Sequence, residues 1–176
     1  MVTALLVLVA LVGAAAWPQA SPRLGPARPW VRRLAVPVAV AGLALAAALA
    51  AASWPRGGAD PRAVVPAAVA AAVLAGGPWA SAVLEAVRRG QRLDATAQGL
   101  VLRGGAAIGA LERAAVAATL LAGWPEGLAV VLAVKGLGRY DELRTSADAA
   151  ERFIVGTFAS TLWAAACAGT AALATG

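Results

Sequence analysis

Residues 34–54 contain no charged side chain, and no feature of the chain constrains its fold more than this run. A bilayer core of about 30 Å takes roughly 20 apolar residues in a helix that rises about 1.5 Å per residue. Lipid offers the backbone no hydrogen-bonding partner, so such a run must satisfy its own amides and carbonyls as a helix. The same reading along the chain predicts six transmembrane helices, at about residues 2–17, 34–54, 63–84, 104–124, 127–140 and 153–174. The expected fold is all-α: one polytopic helical membrane bundle over residues 1–176, with no soluble domain appended. Composition agrees, with 61% hydrophobic and 14% charged residues. A soluble domain carries about 45–50% apolar and about 25% charged residues. Within the third run, Gly76-Gly77-Pro78 predicts a break or kink, since proline removes a helical hydrogen bond.

The basic residues set the orientation. With the N-terminus outside, segments 18–33, 85–103 and 141–152 face the cytoplasm. They hold Arg23, Arg28, Arg32, Arg33, Arg88, Arg89, Arg92, Arg103, Arg144 and Arg152, with Arg139 at the boundary, whereas the outer loops hold only Arg56 and Arg62. The positive-inside rule then places both termini outside. Small residues at Ala14-Ala15-Ala16 would suit a signal-peptide cleavage site, but no Lys or Arg precedes Val2 and the positive charge follows the run, which favours a retained helix. The 85–103 loop is expected to form a short interfacial helix with Arg88, Arg89 and Arg92 towards anionic headgroups. Segment 18–29, with four prolines, is expected to be irregular. Trp17, Trp30, Trp54 and Trp124 flank the spans as an interfacial belt does.

Several chemistries are excluded or disfavoured. The chain has no His and one Cys, Cys167, so internal disulfides and His-based metal or acid–base sites are ruled out. No cofactor or metal is expected. The net charge of +6 lies in short clusters rather than on one continuous basic face, which argues against nucleic acid as a partner. Catalysis would fall to Glu112 or Glu151 as acid–base groups, or to Ser160 with Lys135 as a nucleophilic dyad. Lys135 lies about 6 Å and Ser160 about 12 Å from their cytoplasmic helix ends, a poor match for a dyad. The chain is therefore read as no enzyme. Asp141, Glu142 and Asp148 are expected to balance Arg139, Arg144 and Arg152, and Cys167 to be packing.

The candidate site lies in the second half. An ionisable residue within a span costs about 2.5–3.5 kcal/mol on insertion scales, so it needs a partner or a purpose. The turn at 123–127 makes the fourth and fifth helices an antiparallel hairpin. Measured from Pro125, Glu112 lies roughly 20 Å down, Lys135 about 15 Å and Arg139 about 21 Å. Glu112 with Lys135 or Arg139 is then a natural ion pair in the cytoplasmic third of the bilayer. Gly105 and Gly109 share a face with Glu112, and Gly156 and Ser160 share one with Arg152, which predicts close helix packing there. Glu112, Arg113, Lys135, Arg139, Glu151 and Arg152 are thus expected in one inner-leaflet region. Four cations against two anions suit an anionic lipid headgroup. The plainer alternative is that the pairs pin the hairpin and the long side chains reach the interface.

Three segments carry a resemblance: Gly104-Gly105-Ala106-Ala107-Ile108-Gly109-Ala110-Leu111-Glu112-Arg113, then Ala133-Val134-Lys135-Gly136-Leu137-Gly138-Arg139-Tyr140, then Ala150-Glu151-Arg152-Phe153-Ile154-Val155-Gly156-Thr157. In this order they resemble a bacterial family of uncharacterised integral membrane proteins with IGxLER, AAKSxxRF-like and AExxxIGTxxS motifs. The similarity covers about residues 104–163. Gly136 stands where that family has Ser, and Tyr140 where it has Phe. The His and Asp that often lie in the membrane in the family's amino-terminal half have no counterpart in these spans. The resemblance implies a multi-pass protein of the bacterial cytoplasmic membrane and supplies no activity. Two functions follow as expectations: binding or moving an anionic lipid or small solute at the cytoplasmic leaflet, or serving as a structural or accessory subunit. Either way, a homo-oligomer or a membrane-protein partner is expected.

Overall fold

A computed structural model describes residues 1–16, 29–53, 58–91 and 105–176. Among them are seven helices and no strand: α1 (Val2–Ala16), α2 (Pro29–Ser53), α3 (Pro61–Gln91), α4 (Gly105–Leu121), α5 (Glu126–Leu137), α6 (Tyr140–Thr145) and α7 (Ala147–Thr175). Three of them are long and apolar enough to cross a membrane, over Leu34–Ala52, Pro61–Val87 and Ala147–Thr175. The predicted fifth crossing is a helix of 12 residues, α5, which ends at Leu137 and is followed by the separate six-residue α6.

Local chemistry explains several of the boundaries. Asp60 starts α3: its carboxylate accepts from the Arg62 amide at 2.9 Å and its carbonyl from Ala63 and Val64. Pro61 follows at the first helical position, where its missing N–H is no loss. α4 closes in a Schellman motif, with Trp124 N–H bonded to the Thr119 carbonyl, Gly123 N–H to that of Leu120, and Gly123 at φ 71°. Ser146 caps α7 by accepting from the Ala149 amide at 3.2 Å. The break expected at Gly76-Gly77-Pro78 does not occur, and α3 continues through it to Gln91. Residues 85–91 therefore belong to α3. The rest of the expected interfacial helix and the segment 18–28 lie outside the described residues.

α3 and α7 form the antiparallel centre of the bundle. The Ala59 amide bonds the Ala174 carbonyl at 2.7 Å, and indole bonds run from Trp163 to Ala71 and from Trp79 to Ala159. α1 and α2 pack on one side of this pair and α4 on the other, while α5 leans chiefly on α4. The core is rich in small residues, packed with a few larger ones such as Leu6, Val9, Val64 and Val116. Ala46, Ala50, Ala68, Ala71, Ala72, Ala164 and Ala171 are fully buried, and a side chain at Gly13 would meet the Ala75 backbone at 2.5 Å. Large apolar residues face outward instead, among them Leu11, Leu34, Leu45, Leu111, Phe158 and Leu162. Small residues inside and large ones outside is the arrangement expected where lipid tails surround the helices and close backbone approach holds them together.

Candidate functional site

Glu112 and Arg113 are neighbours on α4, about 100° apart around a helix of about 3.6 residues per turn, and they serve different faces. Glu112 turns to α5 and pairs with Lys135, as one of the two expected pairings had it. The pair is partly exposed, with side-chain exposures of 18% and 20%. The Lys135 ammonium also sits 5.9 Å from the centroid of the Phe153 ring on α7.

Arg113 turns inward. It is 4% exposed, and its Nε and Nη2 donate to the Val73 carbonyl of α3 at 3.2 and 3.0 Å. Its Nη1 donates to Ser160 Oγ of α7 at 3.4 Å. α3 provides the room, because a Cβ at Gly76 would lie 2.4 Å from Arg113 Cδ. It also provides acceptors next to a helical defect: Pro78 has no N–H for the Leu74 carbonyl, and the side-chain donors of Arg113 and Trp163 reach α3 carbonyls at Val73 and Ala71, just before that turn. Trp79 and Trp163 flank the site with ring centroids 5.7 Å apart.

The expected six-residue cluster is therefore divided. Glu112 and Lys135 meet; Arg113 lies in the α3–α4–α7 core; Arg139 pairs with Glu142 on α6. Arg152 donates from Nε to the Asp148 carbonyl of its own helix, and Glu151 is exposed. Glu142 answers Arg139 directly, and Asp141 and Arg144 lie on the same short helix. Of the expected packing residues, Gly156 lies against Leu84 of α3 at 3.4 Å and Ser160 receives Arg113. A Cβ at Gly109 would face the guanidinium of Arg113 on its own helix at 3.2 Å, and one at Gly105 would meet nothing within 4 Å among the described residues. Ser160 and Lys135 bond to different partners, Arg113 and Glu112.

Sequence reasoning missed Gly13, Gly76, Val73 and the Trp79–Trp163 pair. Gly76 beside a proline was the available signal, but it reads as a helix breaker until a neighbouring side chain is seen in its notch. Thr157 carries a buried hydroxyl oxygen that meets no hydrogen-bond partner among the described residues. It shares a face of α7 with Phe153 and Ser160, one turn from each. Cys167 is fully buried. Among the described residues no group of three or more His, Cys, Asp or Glu side chains lies together as a metal site.

These features define an all-helical protein with helices fit to cross a membrane and a polar clasp inside the bundle. No protein-family model, curated protein or solved structure matches the chain.

Proposed function

We propose that this chain is a multi-pass protein of the bacterial cytoplasmic membrane, with six crossings and both termini outside, that serves as a structural or accessory subunit rather than as an enzyme. The observation that carries this reading is where the cations spend their donors. Arg113 clasps α3 and α7, Lys135 neutralises Glu112, and Arg139 neutralises Glu142. Charges committed in this way hold helices in register and offer a soluble substrate little.

A second reading, that the site holds an anionic lipid or small solute at the cytoplasmic leaflet, is supported by the partial exposure of the Glu112–Lys135 pair. Native mass spectrometry from a mild detergent separates the two. The accessory reading expects Glu112→Gln to alter subunit number or partner recovery, with no specific lipid retained. The lipid reading expects an anionic lipid held by the wild type and lost from Lys135→Ala. A monomer indifferent to both substitutions would remove both readings. Reporter fusions after Gly176 that are active only outside the membrane test the orientation.

A further inference from the structure

The charge-free stretches of α3 and α7 differ sharply in length from that of α5. In α3 no charged residue lies between Arg62 and Glu85, and in α7 none follows Arg152. Each presents roughly 34 Å of uncharged helix at about 1.5 Å per residue. In α5, by contrast, Glu126 and Lys135 are separated only by the segment 127–134. The rise between them is about 13 Å, less than half of a hydrocarbon core of about 30 Å.

The hairpin cannot slide to relieve this mismatch. Glu112 pins α5 to α4 through Lys135, and the next residue, Arg113, pins α4 to Val73 of α3 and Ser160 of α7. Tilting α5 shortens its reach further. The Lys135 side chain can extend towards the headgroups and meet part of the deficit, and the lipid meets the rest, through local thinning or through headgroups and water drawn inward to the charges. Leu111, Val130, Val134 and Leu137 are exposed along this side, so the thinned strip is open to the bilayer.

We propose that the α4–α5 hairpin is a lane of thinned bilayer along which phospholipids pass between leaflets, with the Glu112–Lys135 pair as the polar step within it. This rests on the proposed placement of α4 and α5 in the membrane. A facing carboxylate and ammonium complement a headgroup that carries both a phosphate and an amine, so the lane takes phosphatidylethanolamine-like lipids. The passage is passive and runs in both directions.

The full-length protein is reconstituted into vesicles of phosphatidylethanolamine and phosphatidylcholine with a trace of phosphatidylethanolamine that carries NBD on an acyl chain and keeps its headgroup amine free, and dithionite is added outside. Dithionite is expected to bleach the label of both leaflets, while an NBD-labelled sugar trapped inside stays protected. In Glu112→Leu/Lys135→Leu, where α5 is uncharged from Gly127 to Gly138, exchange is expected to slow by about tenfold or more, which corresponds to about 1.4 kcal/mol of added barrier. Lipids with longer acyl chains are expected to slow the wild type as well, a test that stands even where the double variant does not fold. Protein that floats with the vesicles after alkaline washing yet leaves the inner leaflet protected overturns the lane and leaves the membrane placement standing. Protein stripped off by that wash overturns the placement, and the lane with it. Exchange that ignores both the variant and lipid thickness also overturns the lane.

Discussion

Gly76→Ala tests the clasp most directly. The added methyl would stand 2.4 Å from Arg113 Cδ, 2.9 Å from its Nε and 3.0 Å from Trp163 Cδ1. The Arg113 stem cannot retreat freely, because Nε and Nη2 both hold the Val73 carbonyl one turn away on the same helix. Overpacking of this kind costs about 1–3 kcal/mol. Loosening the guanidinium adds about 0.6 kcal/mol for each interhelical bond lost, the average measured for hydrogen bonds inside a membrane protein. Against this, alanine gains about 0.5–1 kcal/mol over glycine within a helix. The balance is a loss of about 2 kcal/mol, or about 30-fold in the ratio of folded to unfolded protein. Gly169→Ala is the control: Gly169 lies within α7 with no neighbour inside 4 Å, so only the helical gain of about 0.5–1 kcal/mol remains. The assay is reversible unfolding in mixed micelles by added dodecyl sulfate, followed by helical circular dichroism. Opposite signs at the two glycines are expected. If Gly76→Ala were neutral, or if both substitutions shifted stability alike, the close α3–α4 approach and the clasp built on it would be refuted.

The other predictions use the same unfolding assay or simple labelling. Glu112→Gln should cost about 1–2 kcal/mol, below the about 3–5 kcal/mol of a fully buried pair because Lys135 can extend towards the headgroups. Adding Lys135→Leu should recover most of that loss, and simple additivity of the two single losses would argue against a direct pair. Thr157→Val removes a buried oxygen that meets no hydrogen-bond partner among the described residues, so stability should hold or rise by up to about 1–2 kcal/mol, and a clear loss would contradict that placement. Cys167 is fully buried, so a maleimide should react with it in the denatured protein and hardly at all in the folded one. Equal rates in the two states would place Cys167 at the surface.

The candidate site was legible in part. The Glu112–Lys135 pair could be foreseen because a short turn fixes the register of two antiparallel helices, and depth along each follows from residue number. Arg113 could not be separated from Glu112 in that way, since depth says nothing about direction around the helix. Residues 112 and 113 share a level and face different neighbours. Arg139 was open to Glu112 or a local partner, and the interruption after Leu137, which brings Glu142 within reach, settled it.

Hydropathy and the spacing of charge were enough to establish an all-helical chain with helices fit to cross a bilayer, and to exclude His-based metal and acid–base chemistry. Those properties follow from composition along a line, because lipid selects for uncharged length whatever the helices later touch. Tertiary structure decided which side chains meet. It ran α3 unbroken through Gly76-Gly77-Pro78, where Arg113 and Trp163 pack against Gly76 and donate to α3 carbonyls in the preceding turn. It made Gly13 and Gly76 contact points. The physical reason is that helices in lipid associate by shape and by satisfied polar groups, with no hydrophobic drive between them. A glycine or an arginine therefore acquires its role from the neighbour it faces.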